Sequence, residues 1–125
     1  MGAGTGTGAE IAKRFAAEGY GVALARRNAA ALAPLVEEIE AAGGRAAAVG
    51  VDAGDEAGVS GLFEQAESTL GPVEVAVLNA AGITRQPVVE TSVEEFDRVW
   101  RATSLAGFLV GRAAARRRLP RGAGT

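Results

Sequence analysis

The sequence predicts an α/β fold in which a parallel sheet is covered by helices on both faces. Two observations support this class. Stretches with helical apolar spacing alternate with short, continuous apolar runs, and glycines separate the two kinds of segment. Continuous apolar runs are typical of parallel strands that are buried on both faces. The chain has 125 residues, which is enough for a single domain spanning residues 1–125.

The first half of the chain contains two predicted helix–strand pairs. Residues 7–18 carry apolar side chains at helical spacing, and the apolar run 21–25 follows as a strand. Asn28 is a suitable N-cap for the next helix, which a pair of glycines ends. Residues 46–51 are then the second strand.

The second half continues the same alternation. Asp55 can cap a third helix, and residues 73–78 form a third strand. Ser92 and Glu95 form a capping-box pair that begins a long fourth helix, with Pro120 as its stop. The apolar stripe predicted for this helix consists of Phe96, Val99, Trp100, Thr103, Gly107, Val110 and Ala114.

Composition excludes several functional classes. The chain has no cysteine and no histidine, so thiol catalysis, histidine-based triads and His or Cys metal sites are absent, and we expect no metal. A net charge of −2 gives no electrostatic case for nucleic acid or an anionic membrane. No apolar run approaches the roughly 20 residues of a membrane span, and no signal peptide is evident, so a cytoplasmic location is the default. The C-terminal arginines are interpreted as partners of a helix dipole rather than a nucleic-acid patch.

A glycine run comes directly before the first helix, at Gly2, Gly4, Gly6 and Gly8. Glycines let a backbone approach a ligand closely, and the N-terminus of the following helix attracts phosphate. The run therefore indicates a dinucleotide phosphate loop, with a plain flexible terminus as the alternative. A second cluster, which includes Gly124, is interpreted as chance.

Several motifs together resemble the short-chain dehydrogenase/reductase family. Gly2, Gly6 and Gly8 match its Gly-x-x-x-Gly-x-Gly loop, and residues 78–82 resemble its Asn-Asn-Ala-Gly segment with Ala80 in place of the second Asn. The resemblance covers the whole chain but only the N-terminal half of the family. It implies a partial Rossmann-like sheet, in which the family's first strand and C-terminal strands have no counterpart here.

The resemblance also implies which residues contact a cofactor. They lie in the glycine loop and after the predicted strands, and they are Gly2, Thr5, Gly6, Thr7, Gly8, Arg26, Arg27, Asp52, Ala53, Asn79, Ala80 and Gly82. In NAD-dependent relatives an acidic residue stands where this chain has Arg26. An arginine fork there favours a 2′-phosphate, so NADP(H) is favoured over NAD(H). The alternative is a pair of solvated arginines.

The family's catalytic groups are not found in this sequence. Thr103 occupies the position of the family's catalytic Asn, and its place on the predicted stripe favours a packed structural role. The family's Ser and Tyr-x-x-x-Lys have no counterpart, because Tyr20 and Lys13 do not have that spacing. The resemblance implies carbonyl or alcohol hydride transfer on a small molecule by an intact, homo-oligomeric enzyme, and we expect this chain alone to be inactive. A non-catalytic nucleotide-binding module and a truncated product without independent function remain alternatives.

Overall fold

The structure is a computed structural model that describes residues 1–122; residues 123–125, including Gly124 of the second glycine cluster, lie outside the described part. In chain order the longer elements are α1 (Thr7–Ala17), β1 (Gly21–Arg26), α2 (Ala33–Ala41), β2 (Arg45–Gly50), α3 (Glu56–Leu70), α4 (Val93–Trp100) and α5 (Ala106–Arg118). Short 3-10 turns lie at Ala29–Leu32, Val88–Glu90 and Leu119–Arg121, and a π-helical turn at Arg101–Leu105.

The two strands confirm the predicted parallel pairing. β1 pairs with β2 from Gly21 opposite Arg45 to Arg26 opposite Gly50. Because α2 connects two parallel neighbours, this unit is a βαβ crossover of the kind expected for a doubly wound sheet.

Helices cover both faces of this sheet, as predicted. Leu24 packs into a core with α1 and α2 that includes Ala12 and Ile39. The next strand residue, Ala25, packs instead against Leu62 of α3. Successive strand residues point to opposite faces, so these two contacts place α1 and α2 on one side and α3 on the other. A further cluster joins α3 to α5 and contains Val59, Phe63, Leu109, Val110 and Ala114.

The predicted third strand, residues 73–78, was wrong as a hydrogen-bonded element. In the described part of the chain, the only main-chain pairing at this segment is with Met1, whose amino group donates to the Val77 carbonyl at 2.7 Å and whose carbonyl accepts from the N–H of the following Asn79 at 2.9 Å. One paired residue is too short for a strand. The apolar pattern correctly indicated a half-buried segment, but a strand also needs a neighbour along its length.

The predicted single fourth helix is divided into α4, the π-helical turn and α5. A π turn carries one more residue than an α turn, so it rotates every later side chain relative to a uniform helical repeat. Before the turn, Phe96 and Trp100 of the predicted stripe are exposed, at 65% and 44%, and after it Ala106 and Leu109 are buried instead. Only part of the predicted stripe, including Val110, packs as expected.

The predicted helix caps had mixed outcomes. The Asp55 side chain accepts from the Gly58 N–H at 2.8 Å, and the Ser92 hydroxyl accepts from the Glu95 N–H at 3.1 Å, as expected. The Asn28 cap was wrong, because its side chain makes no capping bond and a 3-10 turn precedes α2. Within residues 1–122, no helix is both long and apolar enough to cross a membrane.

Candidate cofactor site

The glycine loop lies between the carboxyl end of β1 and the extended segment that ends at Asn79. The Gly2 N–H donates to the Ala25 carbonyl at 2.8 Å, and on the other side the Asn79 N–H reaches Met1. The Asn79 side-chain amide also lies 3.4 Å from the Gly2 carbonyl oxygen. The loop is therefore held from both sides at the sheet edge where open α/β folds bind ligands.

Two glycines of this loop are required by close packing. Gly2 has a φ of +81°, and a Cβ built on it would lie 2.5 Å from the Ala80 nitrogen. A Cβ on Gly8 would lie 2.5 Å from the Gly2 carbonyl oxygen. Gly4 and Gly6, in contrast, have no atom within 4 Å of such a Cβ. The loop thus packs tightly on its inner side and leaves open space on its outer side.

The first turn of α1 opens onto this loop. Its N-cap is Gly6, which brings no side-chain oxygen to the helix start, and the N–H groups of Ala9 and Glu10 return to the Gly6 carbonyl. The exposed residues Thr5 and Thr7 flank the cap. The helix start therefore offers its dipole end and N–H groups to the open side of the loop.

The residues that follow the two strands lie along the same edge. Arg26 is half-buried at the end of β1, and Arg27 is exposed. Neither arginine belongs to an ion pair among residues 1–122. After β2, the Asp52 carboxylate accepts from the Gly54 N–H at 2.9 Å, and Ala53 is buried. Two cationic side chains and one carboxylate are thus available around this edge.

Thr103 is not on a packed apolar stripe, which corrects the expectation from the sequence. It is exposed, and its hydroxyl oxygen accepts from the Gly82 N–H at 3.0 Å. The same hydroxyl lies 3.4 Å from the Gly82 carbonyl oxygen. Gly82 is also closely packed, since a Cβ there would be 2.9 Å from the Val99 Cα. Thr103 therefore fixes the segment that follows Asn79 and Ala80, a role that sequence spacing alone did not indicate.

Tyr20 and Lys13 make their contacts with other residues of α1 and α2. Tyr20 makes an edge-to-face contact with Phe15, with ring centroids 5.3 Å apart. The Lys13 ammonium lies 2.7 Å from Glu10 and 3.0 Å from Glu38, and hydrogen bonds to these carboxylates, Glu10 first, raise the pKa of Lys13. A lysine held in this way is charged and paired on the surface of α1.

Sequence reasoning missed the role of the C-terminal arginines. Arg117 lies 3.2 Å from Glu67 and its guanidinium stands over the Phe63 ring at 5.1 Å. Arg121 also pairs with Glu67, and its hydrogen bond is the main reason that the pKa of Glu67 is lowered. These two arginines therefore join α5 and the 3-10 turn after it to Glu67 of α3. The opposite charges of these arginines and of the glutamates in α3 are visible in the sequence, but the contact between the two groups is not.

A parallel sheet with helices on both faces, and a glycine loop between a strand end and a helix start, define a Rossmann-like nucleotide-binding architecture. Comparisons with known proteins agree with this class. The family model described as short chain dehydrogenase matches residues 1–125. A solved short-chain dehydrogenase from Rhodopseudomonas palustris superposes with a TM-score of 0.94 at 46% identity, covering 99% of this chain and 58% of that chain.

Similar curated proteins give the same result. The chain is 34% identical over 123 residues to gluconate 5-dehydrogenase of Gluconobacter oxydans, covering 98% of this chain and 48% of that protein. It is 39% identical over 99 residues to 3beta-hydroxysteroid dehydrogenase 1 of Eggerthella lenta, covering 78% and 38%.

The chain belongs to the short-chain dehydrogenase/reductase family of oxidoreductases. That family uses NAD(P) cofactors, acts on small molecules and is generally oligomeric. The chain spans roughly half the length of the relatives it matches, so it is a fragment relative to them.

Proposed function

We propose that this chain supplies the adenine half of an NADP(H) site in a short-chain oxidoreductase that acts on a small carbonyl or alcohol. When bound, the nicotinamide of such a cofactor donates or accepts a hydride. The chain's own residues bind and orient the cofactor. The observation that carries the proposal is the glycine loop, held between β1 and Asn79 with its outer side open.

The local geometry fits a pyrophosphate group. At the inner glycines, Gly2 and Gly8, there is no room for a side chain, because the loop packs closely against Asn79 and Ala80 there. The outer Gly6 leaves room for a ligand at the start of α1, where N–H groups and the helix dipole favour an anion. Thr5 and Thr7 are exposed beside it and carry hydroxyl donors.

The choice of NADP(H) over NAD(H) is supported by charge at the end of β1. Arg26 and Arg27 follow the strand, and no carboxylate is paired with either among the described residues. A guanidinium can bind a 2′-phosphate with two hydrogen bonds, whereas the ribose hydroxyls of NAD(H) are better bound by a carboxylate. Asp52 and Ala53 would lie beside the adenine.

The test uses fragments of the cofactor that contain only its adenine half. Adenosine 2′,5′-bisphosphate and 5′-AMP differ by the 2′-phosphate, so their affinities for the chain can be compared by calorimetric titration. We expect the bisphosphate to bind more tightly. Arg27→Ala should weaken its binding by roughly 1.5–3 kcal/mol, the usual range for a hydrogen bond to a charged group, and should leave 5′-AMP unchanged.

Arg14→Ala is the matched control, because Arg14 is an exposed arginine on α1 whose only described ion pair is with Glu18. It should change neither affinity. Equal loss of both ligands in Arg27→Ala would show that the arginine does not recognise the 2′-phosphate, and would overturn the NADP(H) proposal.

We propose further that the intact protein is a homo-oligomer that uses the exposed face of α4 and α5. Phe96 and Phe108 are 65% and 58% exposed, and the Arg112 guanidinium lies 4.6 Å from the centre of the Phe108 ring. Exposed aromatic and arginine side chains are enriched at protein interfaces. Phe108→Glu should reduce the oligomer measured by light scattering, whereas an equally exposed site away from this face, such as Glu18→Lys, should not.

A further inference from the structure

The outer edge of β2, on the side away from β1, is open in this structure. The Val51 N–H donates to the Arg26 carbonyl of β1 at 3.1 Å, so every second residue of β2, counted back from Val51, faces β1. The residues between them, Ala46, Ala48 and Gly50, direct their N–H and carbonyl groups outward. Within residues 1–122 no hydrogen bond occupies the outward backbone groups of these three residues.

This edge lacks the features that usually keep a strand edge unpaired. Exposed edges are normally protected by charged side chains, prolines or bulges. β2 has the sequence Arg-Ala-Ala-Ala-Val-Gly, with no proline and with its one charge at the first residue, Arg45. Its register with β1 is continuous from end to end, so it contains no bulge. The edge of β2 is therefore suited to pairing with another strand.

The outward groups of β2 are spaced so that the strand can pair with a copy of itself. In an antiparallel pair, two opposed residues whose backbone groups face each other exchange two hydrogen bonds. When Ala48 lies opposite Ala48 of a second copy, Ala46 of each copy lies opposite Gly50 of the other. Every outward N–H and carbonyl of these three residues then has a partner. The two neighbouring registers each place an outward residue opposite one that lies beyond the end of β2.

The helix α2 lies beside this edge, and its contacts show which of its sides is turned toward the edge. On one face of the sheet, α1 packs on β1 and α2 packs on β2. The Glu38 carboxylate accepts from the Lys13 ammonium at 3.0 Å, so the side of α2 that carries Glu38 faces α1. Val36 and Glu40 are each two positions from Glu38, which is about 200° around a helix. The side of α2 next to the open edge therefore carries Val36, Glu40 and, one turn earlier, the exposed Ala33.

The direction of α2 is opposite to that of β2. A Cβ on Gly50, at the end of β2, would lie 3.4 Å from the Cβ of Ala29, which precedes α2. A Cβ on Gly44, just before β2, would lie 2.8 Å from the Ile39 side chain near the end of α2. A twofold axis at Ala48 therefore brings the end of one α2 beside the start of the other.

The two copies have complementary charges in this arrangement. The second half of α2 carries three glutamates, Glu37, Glu38 and Glu40, and no basic residue. The start of the partner's α2 has the positive end of the helix dipole and no acidic residue in its first turn. Arg26 and Arg27 precede that helix start at the end of β1. The acidic end of each copy thus meets the positive end of the other, once on each side of the axis.

We propose that the outer edge of β2 binds a second copy of this chain, as an antiparallel strand pair centred on Ala48 that joins the two sheets into one. The same surface supplies both the acidic and the positive part of the contact, and a twofold axis uses each part twice. An unrelated strand would match the backbone groups but not these charges. The contact does not involve the glycine loop or the exposed face of α4 and α5.

Single cysteines test the register, since the chain has no cysteine of its own. Opposed residues of a hydrogen-bonded antiparallel pair have Cα atoms about 5.5 Å apart, which is within the range of a disulfide. Ala48→Cys should therefore form a disulfide-linked dimer when copper phenanthroline is added as oxidant. Ala46→Cys is the matched control, because its two copies lie roughly 13 Å apart along the pair and should not crosslink. A mixture of Ala46→Cys and Gly50→Cys should crosslink as a heterodimer.

Two charge reversals on α2 test the complementarity. Glu40→Lys, added to the Ala48→Cys chain, places a lysine at the positive end of the partner's helix. It should slow crosslinking about threefold to tenfold. Glu37→Lys makes the same change of charge on the exposed side of α2 and should have little effect. Phe108→Glu, which alters the separate face of α4 and α5, should leave the crosslink unchanged.

Sedimentation of the cysteine-free chain measures the contact without a crosslink. Ala48→Pro removes the N–H at the twofold axis but no hydrogen bond between β1 and β2, so circular dichroism should show an unchanged fold. It should raise the dissociation constant of the dimer at least about tenfold, the loss expected from its two central hydrogen bonds. Crosslinking of Ala46→Cys as fast as Ala48→Cys would overturn the proposal. So would a chain that is monomeric at every concentration, or a dimer that Phe108→Glu dissociates and Ala48→Pro does not.

Discussion

The hydroxyl of Thr103 and the backbone of Gly82 form a paired contact, in which the Gly82 N–H donates to Thr103 Oγ1 at 3.0 Å and its carbonyl oxygen lies 3.4 Å from the same hydroxyl. This contact joins the π-helical turn to the segment that leaves the cofactor edge. Thr103 therefore holds the backbone of a neighbouring loop.

Replacing this hydroxyl should cost stability. Thr103→Val keeps the shape of the side chain but leaves the Gly82 N–H without its protein partner, so we expect a loss of about 0.5–1.5 kcal/mol, reduced where water replaces the bond. Urea unfolding measures this loss in the free energy of unfolding. Thr103→Ser retains the hydroxyl and should lose less than half as much. A valine variant as stable as the parent would mean that the contact contributes nothing.

The inner and outer glycines of the loop should respond differently to alanine. Gly8→Ala places a Cβ 2.5 Å from the Gly2 carbonyl oxygen, so we expect a loss of roughly 1–3 kcal/mol from overpacking. Gly4→Ala meets no atom within 4 Å and should change stability by less than about 0.5 kcal/mol. Thermal unfolding of the two variants side by side provides the comparison. Equal effects would contradict the packing described for Gly8.

Acid should weaken the junction between α3 and α5. Hydrogen bonding to Arg121 lowers the pKa of Glu67 in the folded chain, so the folded state holds this carboxylate deprotonated more strongly than the unfolded state does. The contribution is fully present above the ordinary glutamate pKa and is lost as the pH falls through the lower folded value. Because the pair is partly exposed, we expect at most about 1 kcal/mol.

Urea unfolding between pH 3 and pH 7 measures this effect. Glu67→Gln should flatten the pH dependence in the acid range, whereas Glu64→Gln should not, because Glu64 is 70% exposed and lies 3.8 Å from Arg117. A pH profile unchanged by Glu67→Gln would show that this carboxylate does not couple folding to protonation.

The chain alone should not oxidise or reduce a carbonyl substrate. Its only tyrosine, Tyr20, packs on Phe15, and its only lysine, Lys13, is paired with glutamates on α1. Neither side chain is therefore positioned as the family's proton-transfer pair beside the candidate cofactor edge. The measurement is NADPH absorbance with a panel of ketones and alcohols. Turnover that Gly6→Trp abolishes would contradict this prediction, whereas turnover that survives it indicates a contaminant.

Much of the first half of the fold could be predicted because its information is local. The period of apolar residues and the glycines fixed α1, β1 and β2 to within a residue or two, since each element is paired or packed by near neighbours in sequence. Residues 73–78 had an equally good strand pattern. They failed as a strand because pairing depends on a partner that their own residues do not encode.

The prediction of one uniform fourth helix was wrong for a different reason. A uniform period of 3.6 residues assigned Thr103 and Trp100 to the buried stripe, but the turn at Arg101–Leu105 inserts an extra residue and rotates the faces. No residue type signals such a turn. In the cofactor site, the glycine spacing predicted a glycine loop before α1, and the structure adds that Gly2 and Gly8 are its two closely packed positions. The contribution of Thr103 depends on a contact with a residue 21 positions away, which spacing rules do not reveal.

The bond between Met1 and Val77 also has a consequence for the order of folding. It closes a loop between residues 76 positions apart, whereas the β1–β2 ladder joins residues only 24 apart. Longer closures cost more chain entropy and form later. The unit from α1 to β2 should therefore assemble first, and the hydrogen bond between Met1 and Val77 should form last. In hydrogen exchange, the Asn79 amide should lose its proton well before the amides of β1, so the glycine loop takes its final shape only when most of the chain is already in place.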